Sequence, residues 1–320
     1  MIRFNNVSKR YLDSTYAVKS VNFQIHEGEL MVLIGPSGCG KTTTLKMINR
    51  LIPATDGTIT IGGQNISQYD IHQLRWDIGY VLQEIALFPH MTIEENIAIV
   101  PELKKWNGKR ISQRIDELLQ MIGLDPETYR HRKPNELSGG QQQRVGVARA
   151  LAANPKIILM DEPFSALDPV SREKLQDDLL ELQRTIKKTI VFVTHDMREA
   201  LKLADRICVM RDGEVVQIAT PQELLNHPAN DFVRNFVGED MALATAPFSI
   251  QKYIQYNEMA SSTVAKTIPP HASLQEILTL LTEYDQLGVL KDGRIIGTIN
   301  RQGIIQHLAE QMGKEGRLNG

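Results

Sequence analysis

The sequence predicts an α/β fold: a mixed-sheet core carrying antiparallel β and helical subdomains, followed by a small α+β unit. Three observations predict it. The stretch Gly35-Pro36-Ser37-Gly38-Cys39-Gly40-Lys41-Thr42-Thr43 matches G-x-x-x-x-G-K-[ST], the P-loop pattern. It sits between a strand-length apolar run, Leu30-Met31-Val32-Leu33-Ile34, and a helical run from Thr43 to Arg50 without Gly or Pro. A second apolar run, Ile157-Ile158-Leu159-Met160, has the character of a central strand and ends on Asp161-Glu162.

The phosphate logic of the first stretch is direct. Glycines let backbone N–H groups turn toward a polyanion, and a helix N-terminus adds partial positive charge. Lys41 would reach the terminal phosphates, and the Thr42 hydroxyl would ligate Mg²⁺. Cys39 stands at a variable position and reads as a small filler.

Composition narrows the class. The chain has 320 residues, 42% hydrophobic and 23% charged, which fits one large or two smaller globular domains. Its net charge of −2 advertises no nucleic-acid surface. No apolar run approaches the roughly 18 residues of a membrane span, and no signal peptide is evident. Two distant cysteines, Cys39 and Cys208, fit a reducing compartment. A cytoplasmic location is expected, with any membrane role coming through a partner.

In chain order, Ile2 to Val7 and Ala17 to Ile25 alternate as antiparallel strands. Tyr11 between them can stack on a base or pack on the core. Asp56-Gly57 and Gly62-Gly63 bracket a hairpin strand, Thr58 to Ile61. Gly79 to Leu82 is a short strand ending at Gln83, whose amide could face a metal and a water or simply solvent. From about 85 to 150 a mostly helical subdomain is expected, with helices over Ile93 to Ile99 and Ser112 to Ile122.

Leu137-Ser138-Gly139-Gly140-Gln141 then opens a helix running from Gln141 to Ala153. Ser138 is suited to cap it, and the glycines leave N–H groups accessible. Asp161 at its strand end would hold Mg²⁺, and Glu162 could polarise the attacking water. Asp168 caps the next helix, with Pro169 in its first turn. Thr189 to Thr194 is a buried strand with His195 at its end, where a phosphate contact and a structural role both remain open. Arg206 to Met210 and Glu214 to Ala219 flank the hairpin turn Asp212-Gly213. Pro221 to Asn226 and Asp231 to Val237 are short closing helices.

Taken together, the P-loop, Gln83, Leu137-Ser138-Gly139-Gly140-Gln141, Asp161-Glu162, Ser165-Ala166-Leu167-Asp168 and His195 occur in the order found in ATP-binding cassette ATPases. The resemblance covers residues 1–240. It implies that Tyr11 stacks on adenine and that Gln83 links the site to a membrane partner. It also implies that Ser138, Gly139 and Gly140 close on ATP bound to the opposite subunit of a head-to-tail homodimer. Asp168 would be a cross-subunit contact and His195 the switch histidine. The cofactors implied are ATP and Mg²⁺. The partners implied are transmembrane permease subunits and, indirectly, a substrate-binding protein, at the cytoplasmic face of the membrane.

The apolar-small run Met241 to Pro247 reads as part of a linker over 241–250. Residues 251–312 resemble one CBS repeat, carried by Ile268-Pro269-Pro270-His271-Ala272-Ser273-Leu274, a helix to about Glu283, and strands Gly288 to Leu290 and Ile295 to Ile299 around Asp292-Gly293. Asn300 and Gly303 stand where many CBS repeats carry Thr and Asp for a ribose. A regulatory ligand and a purely dimerising tail are therefore both open, and 313–320 is a terminal tail.

A cassette followed by CBS sequence resembles the ATPases of quaternary-ammonium osmoprotectant importers, which move glycine betaine, choline or carnitine. Leu82-Gln83-Glu84, Leu87-Phe88-Pro89-His90-Met91-Thr92 and Glu94-Glu95-Asn96-Ile97 also resemble importers. Three alternatives compete: the same ATPase with another cargo, a soluble P-loop protein of nucleic-acid maintenance or translation, and a small-molecule kinase. The tandem cassettes or long coiled coils of the second are absent from the sequence. Glu162 directly after Asp161 favours hydrolysis over the third.

Overall fold

A computed structural model describes residues 1–11, 15–83, 86–165, 167–245, 266–270, 274–291 and 294–302. Backbone contacts divide the chain into two units, Met1–Asp240 and Met241–Gly320.

The first unit opens with β1 (Ile2–Arg10) and β2 (Tyr16–Ile25), paired antiparallel. β3 (Leu30–Ile34) is buried at every position, as a strand covered on both faces must be. After the glycine loop comes α1 (Lys41–Ile48). It starts two residues before the predicted helix, because Gly40 at φ 101° makes the turn and stands as the N-cap itself. β4 (Asp56–Ile61) and β5 (Gln64–Asn65) form the expected hairpin. With β1 and β2 they make an antiparallel sheet in the order β2-β1-β4-β5. α2 (Ile71–Trp76) is capped by Asp70 and leads into β6 (Ile78–Val81).

A run of helices follows: α3 (Ile93–Leu103), α4 (Gly108–Met121), α5 (Pro126–Tyr129) and α6 (Gly139–Leu151). The α4 stripe buries Ile111, Ile115, Leu118 and Leu119. Arg130 clamps this region. Its guanidinium donates to Asp116 and Ser112 at 2.9 Å each and pairs with Glu94, tying α3 to α4.

The chain then alternates through β7 (Ile157–Asp161), α7 (Pro169–Ile186), β8 (Thr189–Val193), α8 (Met197–Leu203), β9 (Arg206–Arg211) and β10 (Glu214–Ala219). α9 (Pro221–Asn226) and α10 (Asp231–Thr245) follow. The second sheet has the order β10-β9-β3-β8-β7-β6, parallel except for β10 at its edge. The carboxyl ends of β3, β8, β7 and β6 therefore lie side by side, where such sheets place ligands. The core between the two sheets includes Phe4, Phe23, Leu33, Leu45, Ile59 and Val191.

α10 corrects one expectation. Composition alone suggests a linker from residue 241, yet the helix runs on to Thr245. Met241-Ala242-Leu243-Ala244 are good helix formers, and the chain meets its helix-breaking residue only at Pro247. No described helix is long and apolar enough to cross a membrane.

In the second unit, β11 (Thr267–Ile268), α11 (Leu274–Glu283), β12 (Gln286–Lys291) and β13 (Arg294–Asn300) are described. β12 pairs parallel with β11 and antiparallel with β13. Ile268, Ile277, Leu281, Leu287, Val289 and Ile299 form its core. Predicted features at Glu84, Ala166, 246–265, His271 to Ser273, Asp292-Gly293, Gly303 and 313–320 lie outside the described residues.

Candidate nucleotide-binding and hydrolysis site

Topology assembles the site. The loop from Gly35 to Gly40 leaves β3, His195 follows β8, Asp161 and Glu162 end β7, and Gln83 follows β6. These four strands are neighbours in the sheet. Residues spread from position 35 to 195 thus meet along one edge.

The loop is rigid for steric reasons. A Cβ at Gly35 would lie 2.1 Å from the Met210 carbonyl oxygen, and one at Gly40 would lie 2.3 Å from that of Ala17. Gly38 opens outward beside the exposed Pro36 and Ser37. Lys41 is buried, and its ammonium donates to the carbonyls of Gly35 at 2.7 Å and Pro36 at 3.0 Å. Cys39 is buried next to it, with Sγ 3.9 Å from Nζ. Burial pushes the Cys39 thiol up despite that cation, so it is a filler rather than a thiolate.

Asp161 joins loop to strand. The Thr42 hydroxyl donates to its Oδ1 at 2.8 Å. Its Oδ2 faces the Tyr80 hydroxyl at 3.4 Å and the Lys46 ammonium at 3.8 Å. Burial and the Asp161 carboxylate push the Tyr80 phenol up, which keeps it a donor. Thr42 and Asp161 offer two hard oxygens beside a phosphate loop. Mg²⁺ takes few protein ligands and fills its octahedron with water and phosphate oxygens, so this donor pair fits it.

Glu162 leaves β7 in the left-handed region, at φ 45°, with its N–H donating to the Val193 carbonyl at 3.0 Å. Such strain in a non-glycine residue is a feature of functional sites. It turns the side chain toward β8, where His195 Nδ1 lies 3.1 Å from Glu162 Oε2. Gln83 Nε2 lies 3.4 Å from the same oxygen. The Glu162 side chain is only 20% exposed and that of His195 62%, so the carboxylate is largely shielded while the imidazole lies open to solvent. Gln83, expected beside the metal and the attacking water, has its amide on Glu162.

Six further predicted residues, Ser138, Gly139, Gly140, Gln141, Asp168 and Tyr11, lie outside these contacts. Ser138 caps α6: its Oγ accepts from Gln141 N, and Gln141 Oε1 accepts from Ser138 N. The Gln141 amide also donates to the Tyr129 hydroxyl at 3.0 Å, so this side chain is engaged in holding the helix start. A Cβ at Gly139 would meet nothing within 4 Å, and one at Gly140 would make only ordinary contacts, with Ser171 at 3.6 Å and Leu167 at 4.0 Å. Asp168 caps α7 through Ser171 N at 3.1 Å, and the hydrogen bonds from Ser171 hold its carboxyl below the usual range. Tyr11 is 47% exposed, with the Lys9 ammonium 5.3 Å from its ring centre, so it is not packed in the core.

Comparison with known proteins follows the same lines. The family model described as ABC transporter matches residues 18–165. The choline transport ATP-binding protein OpuBA of Bacillus subtilis is 49% identical over 298 residues, covering 92% of this chain and 77% of its own length. The chain belongs to the ABC transporter family. A second relative of this ABC ATPase is the osmoprotectant import ATP-binding protein OsmV of Salmonella typhimurium. It is 46% identical, over 94% of this chain and 80% of its own. The dimeric structure of the cassette MJ0796, in a post-hydrolysis state bound to ADP and Pi, superposes with a TM-score of 0.62. It is 39% identical and covers 69% of this chain and 99% of its own. The CBS domain model matches residues 258–310 of the ABC ATPase.

Sequence reasoning missed Tyr80 and Lys46 at Asp161. Lys46 stands one helical turn after Thr42, an i,i+4 relation that could have flagged it. Nothing local marks Tyr80, which arrives from the neighbouring strand.

Proposed function

We propose that this ABC ATPase energises an importer of quaternary ammonium osmoprotectants such as glycine betaine, choline or carnitine. The observation that carries its chemistry is the meeting of Lys41, Thr42, Asp161, Glu162, Gln83 and His195 along four adjacent strand ends. The cargo reading rests on relatives whose names specify choline, carnitine or osmoprotectant transport.

In this reading the loop N–H groups from Gly35 to Thr43 and the Lys41 ammonium bind the phosphates of ATP, and Tyr11 stacks on the base. Thr42 and Asp161 hold Mg²⁺, with Gln83 at its margin. When bound, the ion neutralises charge on the phosphate oxygens. Glu162 orients the attacking water and takes its proton at Oε1, since His195 and Gln83 both address Oε2. His195 donates toward the γ-phosphate. Ser138, Gly139 and Gly140, with Asp168, face the nucleotide of a second copy. Closure of that homodimer on ATP, and its reopening after hydrolysis, moves permease subunits at the cytoplasmic face of the membrane. A substrate-binding protein delivers the cargo. The CBS unit either dimerises or senses a ligand.

Uptake of labelled glycine betaine, choline and carnitine under osmotic stress tests this. Cells lacking the chain are complemented with the parent or with Glu162→Gln. Uptake restored by the parent alone supports both cargo class and the role of hydrolysis. No uptake despite good expression removes the osmoprotectant reading. In vitro, Glu162→Gln is expected to bind ATP and lose about 10²- to 10⁴-fold in kcat.

A further inference from the structure

A buried carboxylate outside the hydrolysis site sits behind His195. Glu199, on α8, is shielded from solvent and far from the glycine loop in sequence. Its Oε2 accepts a 2.6 Å hydrogen bond from the Thr194 hydroxyl. The Thr194 oxygen accepts in turn from the backbone N–H of Asp196 at 3.0 Å. Both residues flanking His195 are therefore tied to one carboxylate, Thr194 directly and Asp196 through Thr194, while the imidazole between them addresses Glu162.

The other side of Glu199 faces α7. Gln176 Nε2 lies 3.4 Å from its Oε1, and Gln176 is buried too. One turn earlier, the Arg172 guanidinium donates to the Leu167 carbonyl at 3.1 Å, next to Asp168. The ionisable neighbours of Glu199 are Asp196, Arg172 and His195. An apolar residue would fill this space at lower desolvation cost. A carboxylate that accepts from two elements does what an apolar residue cannot, because it fixes their register.

We propose that Glu199 is a positioning residue that holds the His195 turn in register with the head of α7. It never touches substrate and acts through Thr194. The proposal rests on the reading of His195 as a phosphate contact given above.

The test is a double-mutant cycle in the full-length protein, reading kcat and KM for ATP. Glu199→Gln should lower kcat by about 10-fold or more, the scale of an ångström-level misplacement, with KM little changed. Thr194→Val, which removes both bonds without a volume change, should match it. In a His195→Ala background neither change should cost anything further. Equal losses with and without His195 would overturn the proposal and leave Glu199 a purely structural residue. So would a parental kcat in both variants. If His195→Ala itself kept the parental kcat, the reading of His195 would fail instead. Should Glu199→Gln not fold, Thr194→Val and Gln176→Leu carry the same cycle.

Discussion

Two glycine-flanked helix N-termini in this chain, those of α1 and α6, are finished to different degrees. The loop before α1 is closed on itself. Its lysine is buried, and a Cβ added at Gly35 or Gly40 would lie 2.1 or 2.3 Å from backbone carbonyls of two other strands. The start of α6 is capped only locally, by Ser138 and Gln141, and Gly139 looks into open space. Both termini carry the same partial charge. What differs is who supplies the walls. The first pocket is walled by its own chain, from β9 of its own sheet and β2 of the other. On the function proposed above, the second takes its remaining walls from another molecule, and Gly139 has none from this chain within 4 Å of an added Cβ.

The largest expected effect breaks that asymmetry between subunits. Lys41→Ala and Gly139→Asp should each abolish ATP hydrolysis when present in every chain. Mixed together, half of the dimers pair one of each, and one of their two sites then combines an intact loop with an intact α6 start. Activity should return to about a quarter of the parental value. An inactive mixture would mean that each chain completes its own site.

The second prediction compares glycine with glycine. Gly40→Ala forces a Cβ onto the Ala17 carbonyl in a left-handed turn and should cost about 2–4 kcal/mol, read as a fall in Tm. Gly139→Ala meets nothing and should shift stability by no more than about 0.5 kcal/mol. Its ATPase activity should nonetheless fall steeply. Equal Tm losses at the two positions would show that α6 is walled within the chain after all.

How far the sequence reveals these two termini follows from the range of the forces involved. β3 and the strand before Asp161 are readable because burial on both faces demands a continuous apolar run. Ser138 and Asp168 are readable because capping is local. The partners of Asp161 are not, since Tyr80 reaches it from the adjacent strand β6. Asn96 is another such case. It reads as one polar residue in a helix, yet it is buried and bonds to the backbone of Phe88, Met91 and Thr92, shaping that loop. Glu199 looks like a surface carboxylate until α7 and β8 close around it. The tail of α10 failed for the opposite reason: small apolar residues suggest a linker by composition while favouring helix by propensity.

The smallest expected effect concerns Asp168, at the outward-facing head of α7. Hydrogen bonds from Ser171 depress its carboxyl from an ordinary value of 3.8. A depressed pKa in the folded state means that the cap's contribution is present above 3.8 and is lost as the pH falls through the folded value. Glu199 has the opposite sign, because burial raises its carboxyl. Its contribution is complete below the ordinary value of 4.5 and is lost as the pH rises through the raised one. Asn caps a helix as well as Asp without titrating. The stability difference between parent and Asp168→Asn should therefore shrink on acidification below 3.8, whereas that between parent and Glu199→Gln should move in the parent's favour. Denaturant midpoints collected across the acid range read both slopes. Parallel slopes would show that Asp168 is not held as a charged cap by Ser171 in the folded chain.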